Sequence, residues 1–367
     1  MIRTVVLAIA ACSASPHVVK PPTSAYGVMA DAVHPIGSED VTITVGTRRI
    51  PGTIVAPRDP GTWPAIVLLV GSGPTDRDWN SPLLATKNGS GKLLAEELAS
   101  RGALVLRFDK AGAGKNPGPP LAEFTIDTYR QEALAAIALV RARQDVRADH
   151  VFIAGHSEGG MHATRAALSV TPPLAGVIYL SSASRTMADT MLTQLEGNLT
   201  NPMAGLDDAR VKSEMTSLRS AFADFLAARP VDPTTASTIP QLQQLVAGML
   251  NPATLSLMRG LLGFDNAAEA AKLTVPVFIV NGAKDVQVDP ELDARLLDRS
   301  LRAAKRDVTL YLAPDADHVL KHEAKSLAVL RADLVSVQNN YNAETRTLDE
   351  DAVTALVAWL AARTRIN

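Results

Sequence analysis

A serine flanked by glycines, Gly155-His156-Ser157-Glu158-Gly159-Gly160, follows the apolar run 151–154 and precedes the helix-compatible stretch 161–168. Serine alone is a poor nucleophile near neutral pH. It needs an adjacent base, and the base needs a third group that fixes its tautomer and stabilises its charged form. Gly-x-Ser-x-Gly between a strand and a helix is the nucleophile-elbow pattern, in which a sharp turn lifts the serine hydroxyl above a sheet. So crowded a turn admits only very small residues two positions either side of the serine. A helix that begins at Glu158 aims free backbone N–H groups at an oxyanion beside Ser157. In open parallel sheets the functional loops leave the carboxyl ends of the strands. After Ser157 those loops hold Asn281-Gly282-Ala283-Lys284-Asp285 and Ala313-Pro314-Asp315-Ala316-Asp317-His318, which supply the acid and the base.

Each assignment has a rival. Asp289 reaches the same space as Asp285, which is preferred because it lies closer to its strand end. His322 follows His318 by one helical turn; His318 is preferred because it follows its strand within a short loop. An i, i+4 histidine pair suggests a metal, but Val319 stands where a zinc-protease helix needs glutamate. Gly112-Ala113-Gly114-Lys115-Asn116 resembles the tail of a phosphate-binding loop and fails on inspection, with Asp109 at the first glycine position and Asn116 in place of Ser or Thr. His156 reads as a packing or hydrogen-bonding residue, and Asp76, Arg77 and Asp78 as a structural charge network.

These side chains need a frame. Residues 41–45 alternate with β-branched residues and, with 50–55, read as an antiparallel hairpin. Residues 65–70 form an apolar run suited to a strand buried on both faces. A helix over 90–100, a strand over 103–108 and a helix over 126–142, N-capped by Thr125 or Asp127, lead to the elbow strand. Another buried strand covers 174–180. From about 184 to 271 only helical stripes occur, among them Met187, Met191, Leu195 and Leu199, then Val211, Met215, Leu218, Phe222 and Phe225. The methionines suit either packing or substrate contact. Strands at 275–280 and 308–312, a helix near 292–301 and a final helix over 351–363 resume the alternation, which argues for a mainly parallel sheet covered on both faces. Residues 324–347 are polar and have no assigned role.

The order Ser, Asp, His is that of the α/β-hydrolases. Over residues 40–365 the chain resembles the serine aminopeptidase-like and lysophospholipase-like group of bacterial esterases in that superfamily. The motifs are Gly71-Ser72-Gly73-Pro74-Thr75-Asp76-Arg77-Asp78, Arg107-Phe108-Asp109-Lys110, the elbow, Asn281-Gly282-Ala283-Lys284-Asp285 and Asp317-His318-Val319-Leu320. The resemblance implies an α/β-hydrolase fold with a helical cap after the sixth strand. It implies Ser157 as nucleophile, Asp285 as orienting acid and His318 as general base. It also implies oxyanion donors from the backbone N–H of Glu158 and of Ser72 or Gly73. Ala111 departs from the pattern, since an arginine usually stands there and supports the loop.

The 367 residues are 47% hydrophobic and 20% charged, enough for one large α/β domain with an insertion. A net charge of −2 gives no reason to propose nucleic acid as a partner. The one cysteine, Cys12, excludes an internal disulfide and cysteine-pair metal sites. It follows Ile9-Ala10-Ala11, which resembles a bacterial lipoprotein signal. The organisation expected is a lipoprotein signal over 1–12, a proline-rich tether over 13–38, and an α/β-hydrolase domain over 39–367 with its cap at about 184–271. That places the protein in a bacterial cell envelope, with a membrane tether through lipidated Cys12, or secreted; without the signal it is cytoplasmic. The expected reaction is cleavage of a small-molecule carboxylic ester or other acyl substrate through an acyl-enzyme, with no metal or organic cofactor. The alternatives are an aminopeptidase, amidase or thioesterase on the same triad, and a non-catalytic envelope lipoprotein that binds an acyl ligand.

Overall fold

The computed structural model describes residues 26–365, apart from 30, 32, 85–86, 335–336, 338–340 and 342–344. The signal-like segment 1–12 with Cys12, and the chain up to residue 25, lie outside the described residues.

Eight strands form one sheet: β1 (Ile36–Val45), β2 (Arg48–Pro57), β3 (Trp63–Leu69), β4 (Leu104–Phe108), β5 (Val146–His156), β6 (Gly176–Leu180), β7 (Val277–Gly282) and β8 (Val308–Ala313). Their spatial order is β1-β2-β4-β3-β5-β6-β7-β8. β1 and β2 are antiparallel to each other and β2 to β4; every pairing from β4 to β8 is parallel. The apolar runs behave as strands buried on both faces should. Side chains alternate across a strand, so Ala65, Val67, Ile153, Val177, Tyr179, Val277 and Ile279 share one core. Their neighbours Ile66, Leu68, Phe152, Ile178, Leu180, Phe278 and Val280 share the other.

Helices close both faces. The first core takes Ala133, Ala136, Ile137 and Val140 of α2 (Ile126–Arg141), Ala163 and Ala166 of α3 (Gly159–Ala167), and Leu297 and Leu301 of α10 (Ala294–Ala303). The second takes Leu94 and Leu98 of α1 (Ser90–Ser100) and Leu356, Trp359 and Leu360 of α11 (Glu350–Thr364). Thr125 caps α2, and its N–H is received by Thr128 Oγ1 at 3.2 Å. The packed chain begins upstream of the boundary at 38 that proline content suggests. Tyr26 stacks on Trp63 with ring centroids 4.4 Å apart, and the N–H of buried Val28 donates to Thr364 Oγ1 at 2.8 Å.

Between β6 and β7 the chain runs through α4 (Met187–Thr200), α5 (Asp208–Leu226), α6 (Pro233–Ala236), α7 (Pro240–Met249), α8 (Leu255–Leu262) and α9 (Asn266–Ala270). The stripes of α4, α5 and α7 turn inward onto a core of their own, which includes Leu192, Met215, Leu218, Phe222, Phe225, Val246 and Met249, with Met187 and Met191 packed against it. The methionines therefore serve packing within the insert. An isolated bridge pairs Thr186 with Asp265, so the two ends of the insert meet. Asp293 pins the exit from β6, accepting from Ser184 N at 2.9 Å and Arg185 N at 3.1 Å.

The direction of winding reverses at β3, which lies between β4 and β5. Loops from the carboxyl ends of adjacent strands diverge at such a switch point and leave a crevice. Here the two loops carry residues 71–78 and the Ser157 turn.

Candidate active site

Ser157 sits between β5 and α3 with φ 54°, a left-handed conformation that costs a non-glycine residue roughly 1–3 kcal/mol. The surroundings enforce it. A Cβ on Gly155 would collide with the Gly159 carbonyl, and one on Gly159 would lie 2.7 Å from the Val70 carbonyl oxygen. The serine backbone is tied on both sides: its N–H donates to Leu180 O at 3.0 Å, and its carbonyl accepts from Ser182 Oγ at 2.9 Å and Gly160 N at 3.1 Å. Its hydroxyl makes no hydrogen bond among the described residues.

Asp285 and His318 come together. His318 Nδ1 and Asp285 Oδ2 are 2.8 Å apart, both side chains almost fully buried. The other carboxylate oxygen accepts the N–H of Gln287 at 2.8 Å and of Val288 at 2.9 Å, so the acid cannot rotate away. A proton on Nδ1 that points at Asp285 leaves Nε2 bare, the tautomer a general base requires. The rivals are engaged elsewhere. Asp289 Oδ1 accepts the N–H of Glu291 at 2.8 Å, and its other oxygen pairs with Arg331 at 3.3 Å. His322, more than half exposed, faces Asp349 at 3.3 Å.

His156 braces His318. Its Nε2–H donates to the His318 carbonyl at 2.9 Å, its ring stacks on Trp79 at 4.0 Å, and burial, with His318 alongside, pushes its pKa well below the usual imidazole value. It is a neutral spacer between the Ser157 turn and the His318 loop. Leu330, Val337 and Tyr341, in the stretch left without a role, brace the same loops from outside. Val319, Leu330, Val337 and Tyr341 form a small core with Val286 packed against it, and Lys321 Nζ donates to Asn88 O at 2.6 Å and Tyr341 O at 3.0 Å.

The loop after β3 lies directly on the serine, since a Cβ on Gly71 would be 3.1 Å from Ser157 Cβ. Gly73 adopts φ 69°. Among the described residues the backbone N–H groups of Ser72, Gly73 and Glu158 have no hydrogen-bond partner. The charges at 76–78 do hold this loop. Arg77 forks onto Asp109 at 3.1–3.2 Å, Asp78 pairs with Arg107, and Asp76 accepts the N–H of Asp78 and Asn80, each at 2.9 Å. Ala111, in place of the arginine, is buried with Phe124, Tyr129, Met161, Leu257 and Leu261, and Glu132 Oε2 accepts its N–H at 2.9 Å. Residues 112–116 cradle no anion space: a Cβ on Gly114 would meet the Asp109 carboxylate.

Sequence reasoning gave Lys110 and His162 no part. Both point at the carboxylate of Glu158, at 3.2 Å each, and all three side chains are buried. Burial alone would raise the Glu158 pKa, yet Lys110 and then His162 hold it down at about 2. Burial pushes His162 below its usual value, so it donates Nε2–H as a neutral ring. A cavity of about 420 Å³ lies between α4 and the loop after β7, lined in part by Gln194, Asn198, Asp285 and Gln287 but by neither Ser157 nor His318. Among the described residues no cluster of His, Cys, Asp or Glu is arranged to hold a metal, and no helix is long and apolar enough to cross a membrane.

Residues 87–325, more than half of the chain, match the sequence model of the family described as serine aminopeptidase, S33. Esterase EstD of Thermotoga maritima is 27% identical over 306 residues, which cover 82% of this chain and 64% of that relative. The chain thus spans less than two thirds of that relative's length. Among solved structures, EstE1, a thermophilic carboxylesterase cloned from a metagenomic library, superposes with a TM-score of 0.52 at 14% identity, covering 91% of each chain. A substituted form of esterase rPPE gives 0.51 at 16% identity, covering 93% of this chain and 86% of its own. At these identities the structural likeness concerns the fold alone.

Proposed function

The chain belongs to the serine aminopeptidase S33 family, within the α/β-hydrolases, and from that premise we propose that it is a serine hydrolase that cleaves carboxylic esters through an acyl-enzyme. The observation that carries this reading is the 2.8 Å bond from His318 Nδ1 to Asp285, made by the loops of β7 and β8 and joined through the His156–His318 hydrogen bond to the turn that holds Ser157 at positive φ. In the reaction Ser157 Oγ attacks the ester carbonyl carbon and its proton passes to His318 Nε2. The Ser157 hydroxyl makes no hydrogen bond among the described residues, so this contact forms once substrate is bound, as catalytic hydrogen bonds often do. The tetrahedral oxyanion is received by the backbone N–H of Glu158 and of Ser72 or Gly73. Losing one such donor typically costs about 2.7–4 kcal/mol of transition-state stabilisation. Asp285 stabilises the imidazolium, the carbon–oxygen bond to the leaving alcohol breaks, and the alcohol takes the proton from His318. Water then repeats the sequence on the acyl-enzyme and frees the acid.

The name of EstD favours esters as the substrate class. The family description makes aminoacyl amides the second reading. One experiment addresses both: turnover of p-nitrophenyl esters and aminoacyl p-nitroanilides by wild type and Ser157→Ala, with a fluorophosphonate label read by peptide mass. Wild type should label at Ser157 and prefer esters, and Ser157→Ala should lose roughly 10⁶-fold in kcat, by analogy with other triads. An active Ser157→Ala would sink the mechanism, and faster amide cleavage would reverse the substrate class.

A further inference from the structure

We propose that Lys110 and His162 are positioning residues for the oxyanion site: they clamp the buried carboxylate of Glu158 and so fix the backbone N–H that the same residue presents. The inference rests on the reading of Ser157 as nucleophile and Glu158 N–H as oxyanion donor.

An oxyanion donor needs only its backbone, so a glutamate here is chemically unnecessary. On energetic grounds it is hazardous, because a buried carboxylate next to the nucleophile repels the negative charge that develops on the substrate, and low-dielectric surroundings magnify the repulsion. Here the side chain turns inward and meets a cation. Lys110 follows the end of β4, and its Nζ lies 3.2 Å from Glu158 Oε1. His162, one turn along α3, donates Nε2–H to the same oxygen at 3.2 Å. Tyr129 of α2 closes the cluster, with Lys110 Nζ 5.3 Å from its ring centroid and the His162 ring at 4.4 Å. The cavity bounded by Lys110, Tyr129, Glu132 and His162 is about 10 Å³, at most the room of one water, so solvent has little access to the pair. The Lys110–Glu158 pair carries no net charge, and with His162 it joins the β4 loop, the elbow and α3 at a peptide whose orientation the oxyanion depends on.

Removing the lysine strands the carboxylate. It then stays ionised and opposes the oxyanion, or takes a proton and turns away, and either outcome degrades the donor. The test measures kcat and KM on p-nitrophenyl acetate for Lys110→Met, Lys110→Gln, Glu158→Gln and the double variant Lys110→Met/Glu158→Gln. Rates are normalised to sites titrated with fluorophosphonate. Lys110→Met should lower kcat roughly tenfold or more, short of the loss expected for a deleted donor, with KM within about threefold of wild type. The double variant, which has no stranded charge, should regain at least about fivefold of that kcat. A normalised kcat for Lys110→Met equal to wild type, or a double variant no faster than the single, overturns the proposal, because a merely structural lysine would change the melting temperature without this rescue. Should Lys110→Met not fold, Lys110→Gln keeps a donor but no charge and must show the same kcat loss. A wild type that takes no label fails at Ser157 itself, and the missing label tells that failure from one at Lys110.

Discussion

Asp285 and Asp289 lie one short loop apart, and both accept backbone N–H groups, yet they face different partners. Asp285 presents its second oxygen to His318, whereas Asp289 presents its own to Arg331 at the surface. Asp285→Asn keeps the shape but removes the charge that stabilises the imidazolium and favours the wrong tautomer. It should lower kcat by about 10³- to 10⁴-fold near neutral pH, while Asp289→Asn stays within about threefold. Ester turnover by the two variants side by side checks the assignment, and equal losses would mean that the acid has been misidentified. The placement of Ser157 on a strand-to-helix turn, and of Asp285 and His318 on the loops after β7 and β8, was legible in the sequence because strand ends restrict where such residues can stand. Lys110 and His162 were not. Lys110 stood inside a quoted motif and His162 on an evident helix, but their convergence on Glu158 depends on how far β4 and β5 extend past each other across β3, which no local pattern records.

At the scale of elements, glycine separates sites under steric demand from sites that are merely open. A Cβ on Gly155 runs into the Gly159 carbonyl, whereas one on Gly197, within α4, meets nothing within 4 Å. The same substitution therefore has opposite signs. Gly155→Ala forces the elbow apart and should destabilise by about 1–3 kcal/mol, as overpacking does, with a fall in kcat because Ser157 moves. Gly197→Ala removes only backbone entropy from the unfolded chain and should stabilise by about 0.5–1 kcal/mol. Denaturant midpoints for the two variants measure both signs. The strands buried on both faces were readable as unbroken apolar runs. The first half of β1 was not, because residues 37–40 are Gly-Ser-Glu-Asp on an exposed edge, largely open to solvent, and no apolar alternation marks them. Leu330, Val337 and Tyr341 were unreadable for a related reason: they pack with Val319 and Val286 on the His318 and Asp285 loops, and no period of the sequence around them marks that contact.

On the proposed function, the whole molecule divides reaction from selection. The sheet and its switch point carry the Ser157 turn and the Asp285 and His318 loops, and the insert packs mainly on its own core. Neither sheet core contains a residue between 187 and 264, and the insert's ends already meet at Thr186 and Asp265. Replacing residues 187–264 with a short Gly/Ser linker should therefore leave a folding domain, since closing so small a gap carries little entropic cost. The cost arises where α8 lies on the domain, because Leu257 and Leu261 cover Phe124 and Met161. Exposing that patch should lower Tm by roughly 5–10 °C. Fluorophosphonate should still label Ser157 in the shortened chain. The ratio of kcat/KM between p-nitrophenyl octanoate and acetate, taken as the insert's contribution to selection, should move toward one. Loss of a cooperative melting transition would show that the insert supports the sheet after all, and an unchanged ratio would return substrate choice to the loops around Ser157.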